Sequence, residues 1–179
     1  MIKSDEIVKD VIQLREKWKM RDDWDCFWSS PTNSRGLQLT PTIEPGKVYL
    51  DMKIERHHSG YPGICNGGVS FTILDGMMSW FLMAHLGRSG FTLGSTIKYI
   101  GPLHVGKTYR FQVFAPESGS KTEQKFDLEG VVHPIKNSEV QNDRPLVHMT
   151  APFFLPNREM AKKVLNIELG PEGEELFPE

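Results

Sequence analysis

The stretch "YPGICNGGVSFTILDG", residues 61–76, holds two features with the residue types for chemistry on a carbonyl group. Gly67 and Gly68 stand side by side at the head of an apolar run, and Asp75 is the one carboxylate inside that run. If a helix starts at the glycines, its first N–H groups are unpaired and carry partial positive charge. A glycine there has no Cβ, so a ligand oxygen can come close to the backbone. Such amides suit an oxygen that gains negative charge during a reaction. A tight turn that needs a positive φ is the other account of the pair.

A carboxylate beside such a carbonyl can activate water or attack directly, so the combination suits hydrolysis of an activated carbonyl compound. The spacing sets a condition on this. Asp75 lies eight residues beyond Gly67, which is about 12 Å along a helix and about 80° round its axis. It cannot act on a carbonyl held at Gly67 of its own chain. Either Asp75 is structural, bonded to backbone or to hydroxyls such as Thr72 or Ser79, or two copies of the helix run antiparallel. In the second case each Asp75 approaches the partner's Gly67, and a homodimer becomes a requirement. Met77, Met78, Trp80, Phe81 and Met83 then line an acyl pocket, or else simply form core, as helical spacing alone predicts.

The elements that would position these groups follow from periodicity. Apolar residues at Ile7, Val11, Leu14 and Trp18 predict an amphipathic helix over 4–20, with Ser4 as N-cap and Asp5 and Glu6 at the positive end of its dipole. Alternating segments at 37–43 and 47–54 predict strands around a Glu44-Pro45-Gly46 turn. The run that opens at Gly68 is too long for a strand and apolar nearly all round, so it predicts a buried helix reaching Leu86. Strands are expected at 91–100, 108–115, 123–132 and 146–155, with a polar loop from His133 to Arg144. A short helix over 157–165 and an acidic tail, 170–179, expected as mobile surface, close the chain. Short turns pair strands antiparallel, and one apolar helix needs a curved sheet to hide it. The expected class is therefore α+β: a curved antiparallel sheet wrapped around one long central helix, with an extra N-terminal helix. The expected division is 1–24 as helix and linker, 25–156 as the sheet-and-helix domain, and 157–179 as short helix and tail.

Composition narrows the partners. The 179 residues carry a formal net charge of −2, which offers neither nucleic acid nor a membrane surface the basic face it would need. The apolar run approaches the length of a membrane span, but Asp75 and Gly76 sit near its centre, where Asp alone costs about 3 kcal/mol in lipid; no membrane span is expected. Cys26 and Cys65 have no metal-ligand or CxxC spacing, so no metal is expected. The opening "MIKSDEIVKD" lacks the pattern of a signal peptide, and a cytoplasmic, reduced protein is the expectation.

"HSGYPGICNGGVSFTILDG" resembles the signature of hotdog-fold acyl-CoA thioesterases of the phenylacetate-pathway type, in the 4-hydroxybenzoyl-CoA thioesterase superfamily. That signature reads roughly H-x-G-Y-P-G-I-x-H-G-G, with an acidic residue nine positions after the second His. His58, Gly60, Tyr61, Pro62, Gly63, Gly67, Gly68 and Asp75 fall in register. "CFWSSPTNSRGLQL" upstream resembles the opening of many members, and "TLGSTIKYIGPLHVGKTY" resembles the strand-turn-strand that follows the helix. The resemblance implies the hotdog fold and homodimers, often paired into tetramers, with sites at the interface. It implies an acyl-CoA substrate, with coenzyme A part of that substrate and no separate cofactor. Gly67 would polarise the carbonyl, and Asp75 of the partner subunit would be base or nucleophile. Gly68, Tyr61, Gly63 and Thr92 would meet the substrate or its water.

Two departures matter. The family's second His is Asn66 here, which cannot take up a proton near neutral pH; if a proton must be shuttled, His58 is the replacement. The upstream opening that this chain resembles reads roughly C-F-x-C-G-x-x-N-x-x-G-L-x-L, and its second Cys is Ser29 here. The Asn66 departure supports an alternative reading, a catalytically weak acyl-CoA-binding or regulatory protein of this fold. A hydratase or dehydratase needs a proton-transferring His beside a carboxylate, a part His58 could fill, but it ranks lower because the wider hydratase patterns are absent. Arg88, Lys98, Lys107, Arg110 and Lys121 are the cations in or beside predicted strands that could meet the CoA phosphates.

Overall fold

The computed structural model describes residues 6–18, 25–166 and 170–179. In chain order it contains helix α1 (Val11–Trp18), strands β1 (Thr42–Glu44), β2 (Lys47–Lys53), β3 (Ser59–Tyr61) and β4 (Ile64–Cys65), and helix α2 (Gly67–Phe81). There follow β5 (Phe91–Thr92), β6 (Thr96–Tyr99), β7 (Thr108–Phe114), β8 (Lys125–Lys136), β9 (Glu139–Val140), β10 (Val147–Phe154), α3 (Arg158–Leu165) and α4 (Gly170–Glu174). All pairings are antiparallel. The main sheet runs β1-β2-β7-β8-β10, with β5 and β6 both on the outer edge of β10 and β9 extending β8. The two short strands β3 and β4 form a separate ribbon just before α2.

The sheet hides α2, as expected. Phe111 and Val113 of β7, Phe126, Leu128 and Val132 of β8, and Met149, Ala151 and Phe153 of β10 alternate inward and are buried, the period-2 signature of a sheet with one covered face. Against them lie Ile73, Leu74, Met77, Met78 and Phe81 of α2, each 0 % exposed. Burying a side chain of this size stabilises by about 1.5–3 kcal/mol. Gly130 of β8 lets the helix come close: a Cβ there would lie 3.0 Å from Leu74 and 3.2 Å from Met78. Beyond Phe81 the helix continues as one π-helical turn, Leu82–Leu86, and stops at Gly87, whose φ of 62° is left-handed. Gly67–Leu86 has the length and apolar character to cross a membrane, but 61 % of its most apolar stretch is buried inside the protein.

Four expectations about the elements are corrected. The N-terminal helix starts at Val11, not at residue 4: Asp10 Oδ1 accepts from the N–H groups of Ile12 and Gln13 at 2.9 and 3.0 Å, a side-chain cap. Ile7 and Val8 precede it, largely exposed, while Val11 and Leu14 are buried; Ser4, Asp5, Met20 and the side chain of Trp18 lie outside the described residues. The strand expected over 37–43 forms only at Thr42, because Gln38 is left-handed (φ 52°) and its side chain donates to the carbonyls of Pro31 and Asn33, both at 3.1 Å. The loop expected from His133 is a hairpin: β8 runs on to Lys136, and Asn137 and Ser138, with φ of 50° and 66°, make the tight turn into β9. The tail expected as mobile surface is packed instead, with Leu176 and Phe177 1 % and 5 % exposed.

Both outer segments are fastened near the end of the π turn. The N–H groups of Val8 and Lys9 donate to the Ala84 carbonyl at 2.7 and 3.1 Å, and Ser89 N–H donates to the Leu176 carbonyl at 2.9 Å. Lys9 Nζ meets Glu175 Oε2 at 2.6 Å across the two.

Candidate active site

The β3–β4 ribbon and the start of α2 set out the first cluster. Asn66 is the N-cap: its backbone is extended (φ −66°, ψ 132°) and its Oδ1 accepts from Gly68 N–H at 2.8 Å. Gly68 N–H is thereby occupied, whereas Gly67 N–H finds no acceptor among the described residues. The Gly67 carbonyl accepts from the Tyr99 hydroxyl at 2.8 Å. Neither glycine has a positive φ, so a turn is not why they are there. Space is: a Cβ on Gly67 would lie 2.9 Å from the Tyr99 ring and hydroxyl, and one on Gly68 3.1 Å from Asn66 Oδ1. Partial desolvation of the hydroxyl at the helix head, and Cys65 alongside, push Tyr99 above its ordinary pKa, so it stays a donor.

The other ribbon residues shape this end. Gly63 turns the ribbon with a φ of 77°, and its carbonyl accepts from Val105 N–H at 3.0 Å. Tyr61 is 80 % exposed. His58 is buried, with Nδ1 accepting from Glu55 N–H at 3.0 Å. Its carbonyl takes the Asn66 N–H at 2.8 Å. Burial, with His57 beside it, holds the His58 imidazole below its ordinary pKa. Its Nδ1 is thus committed to the loop, and it reaches Asn66 through the backbone. Tyr61, Cys65, Asn66, Gly67, Tyr99 and Leu103 line a cavity of about 520 Å³.

The second cluster lies two turns further along α2. Asp75, half-buried, accepts at Oδ1 from the Thr92 hydroxyl of β5 at 2.8 Å. Its other carboxylate oxygen has no partner among the described residues. Thr72 and Ser79 do not hold the carboxylate; Ser79 donates to the Asp75 backbone carbonyl at 3.4 Å. Asp75 borders a cavity of about 310 Å³ between α2, the 25–30 segment and α1. Of the apolar residues considered for an acyl pocket, Trp80 and Met83 line this cavity, while Met77, Met78 and Phe81 are core against the sheet. At its wall, Ser29 donates to Cys26 Sγ at 3.6 Å.

One chain therefore brings Asp75 and Thr92 together, and separately Asn66, Gly67, Gly68 and Tyr61, with the two groups on different cavities. Tyr99, and Trp28, which lines the cavity beside Asp75, are the site residues that the sequence did not point to. The gap in the helix surface at Gly67 is the one local sign of Tyr99. Of the candidate CoA-binding cations, Arg88 is spent on the carbonyls of Glu123, Leu155 and Pro156, and Arg110 pairs with both oxygens of Asp51. Lys98 and Lys107 are exposed and have no ion pair among the described residues. Among the described residues no three His, Cys, Asp or Glu side chains gather as a metal ion would need.

Comparison with known proteins meets this region. The family model described as "Thioesterase superfamily" matches residues 62–122. Human acyl-coenzyme A thioesterase 13 is 31 % identical over 64 residues, which is 35 % of this chain and 46 % of that one. The mouse protein of the same name is 25 % identical over 91 residues, 49 % of this chain and 65 % of that one. The chain thus spans about half the length of the curated relatives it matches. Among solved structures, smu.793 from Streptococcus mutans bound to acetyl CoA superposes with a TM-score of 0.54 at 19 % identity, over 64 % of this chain and 84 % of that one. The acyl-CoA hydrolase of Staphylococcus aureus in complex with butyryl coenzyme A gives 0.56 at 14 %, over 64 % and 68 %. These superpositions show the hotdog fold, and the resemblance to hotdog thioesterases read from residues 58–75 is borne out.

Proposed function

We propose that the protein hydrolyses an acyl-CoA thioester at sites formed between two copies of the chain. The observation that carries this reading is the division along α2: an unbonded Gly67 N–H at its head, and a carboxylate held by Thr92 and open to a cavity about 12 Å further on. An antiparallel pair of such helices puts each carboxylate opposite the partner's Gly67. The thioester oxygen then accepts from that amide, and negative charge developing on it is stabilised by the amide and the helix dipole. Asp75 takes a proton from water, or attacks the carbonyl carbon directly, while Thr92 fixes its other oxygen. The names of the curated relatives and the CoA compounds bound to proteins of this fold support the substrate class.

Asn66 fits this chemistry. As N-cap it binds Gly68 N–H and leaves Gly67 N–H for the substrate. The leaving group is a thiol, far more acidic than an alcohol, and departs readily as a thiolate. No general acid is needed, so a residue that cannot carry a proton suffices at this place. Of the candidate cations, Lys98, Lys107 and Lys121 have no ion pair among the described residues and can meet the CoA phosphates, and coenzyme A, as part of the substrate, leaves no role for a separate cofactor. The active unit is a homodimer, which a further pairing would make a tetramer, and the protein acts in the cytoplasm.

The test is turnover of a panel of acyl-CoAs by the wild type and by Asp75→Ala. The expected result is thioester cleavage by the wild type and a fall of about 10²–10⁴-fold in the variant. No turnover by the wild type, or equal turnover by both, overturns the reading. Tight acyl-CoA binding in calorimetry without turnover would establish the alternative that Asn66 favours, a binding or regulatory protein.

A further inference from the structure

The cavity beside Asp75 has walls from outside the stretch, 62–122, that the family model matches. Trp28 forms one wall. Its indole N–H donates to the Ile73 carbonyl at 3.1 Å, and its ring lies on Gly76, where a Cβ would be 2.4 Å away. Trp80 stands against it, ring centroids 5.4 Å apart. Val11 and Arg15 of α1 also border the cavity. The Arg15 guanidinium lies 5.9 Å from the centre of the Trp80 ring, bonded to Thr40 Oγ1 and, at 3.0 Å, to Glu16 Oε1. Val11, Arg15 and Trp28 all precede the stretch, 62–122, that the family model matches.

From this we infer that the cavity takes the acyl group, that Trp28 and α1 close it, and that the enzyme therefore selects compact acyl groups over long chains. The inference rests on the proposed function and deepens it by naming the substrate class. A carbonyl carbon placed at Asp75 must send its acyl group into whatever space adjoins that carboxylate, and this cavity does. Its volume is about 310 Å³, near the lower end for small-molecule sites. At roughly 30 Å³ for a water-sized group, it holds about ten such groups. A hexadecanoyl chain exceeds that. The apolar walls (Phe27, Trp28, Trp80, Met83) reward hydrocarbon, but a longer chain would run against the charged Arg15, whose desolvation is costly.

The experiment measures kcat/KM for acetyl-, butanoyl-, hexanoyl-, octanoyl-, dodecanoyl- and hexadecanoyl-CoA. The wild type should prefer hexanoyl- or octanoyl-CoA and lose at least about tenfold at hexadecanoyl-CoA. Trp28→Ala opens the wall and should raise the dodecanoyl-to-butanoyl ratio by about tenfold or more. Ser79→Leu narrows the cavity from α2 and should lower the octanoyl-to-butanoyl ratio by a similar factor; it keeps the test in force if Trp28→Ala does not fold. A flat wild-type profile, or ratios that neither variant moves, overturns the inference while leaving the proposed function standing. If the wild type cleaves none of the thioesters, the proposed function falls. The length rule is then read from the affinities of non-hydrolysable thioether analogues: a drop of at least tenfold beyond the octanoyl analogue supports it, and affinities independent of length overturn it.

Discussion

A single side chain can hold a loop together and still decide how the protein responds to pH, and His58 is such a residue. Its Nδ1 accepts the Glu55 N–H, which a protonated ring cannot do, and burial lowers its pKa from the ordinary 6.5. As pH falls below that value the unfolded chain takes up the proton first, so it binds more protons than the folded one. Stability from this residue is therefore complete above about pH 6.5 and is lost as pH falls through the folded-state pKa. Thermal melts should show the wild-type Tm dropping more steeply below pH 6.5 than that of His58→Gln, whose amide oxygen accepts the same bond without titrating; parallel curves would refute this. Gly67 and Asp75 were legible in the sequence because their meaning lies in local spacing along one helix. Thr92 came only from the resemblance, and Tyr99 not at all, because its approach to Gly67 depends on β6 lying along β10. The sequence departure at Asn66 raised doubt about catalysis; the hydrogen bond to Gly68 N–H gives it a definite place at the helix head.

Among the elements, α2 was the most legible, since its run of apolar residues admits few other fates. What the run could not reveal is how closely the sheet approaches. Gly130 sets that distance: a methyl there meets Leu74 at 3.0 Å and Met78 at 3.2 Å. Gly130→Ala should destabilise the fold by about 1–3 kcal/mol, the cost of overpacking, measured as a lower midpoint in urea with an unchanged slope. A midpoint equal to the wild type would mean that the helix gives way freely. The elements misjudged from sequence share a cause, backbone or packing choices made by single residues against the surrounding pattern. Left-handed Gln38 cut short an alternating strand. Left-handed Asn137 and Ser138 folded a polar loop into a hairpin. Two apolar residues, Leu176 and Phe177, drew an acidic tail onto the core.

At the scale of the whole molecule, no strand among the described residues pairs with the outer edge of β5 and β6, and Leu93, Tyr99 and Ile100 are 60 %, 54 % and 41 % exposed there. An unpaired edge with apolar side chains invites a second copy of the chain. The proposed shared site can be tested by mixing two inactive variants. Gly67→Pro removes the unbonded amide at the first helical position, which proline can occupy without losing a helical hydrogen bond, and the extended Asn66 before it suits a proline; it is combined with Tyr99→Ala, because a Cβ at Gly67 would otherwise lie 2.9 Å from the Tyr99 ring. Asp75→Asn removes the base. After subunits exchange at random, half the dimers are mixed and each carries one intact site, so about a quarter of wild-type activity should return; no recovery would place each site within one chain. The fastening of the two outer segments has a consequence of its own, in the order of assembly. Lys9 and Glu175 are 166 residues apart in the chain, so their contact closes one of the longest loops in the fold and gains little until the sheet exists. Such a contact is expected to form late in folding, after the sheet. Because α1 follows directly from Lys9, one wall of the cavity beside Asp75 is held in part by this long-range contact, with Val11 and Leu14, buried in the core, as its other anchor.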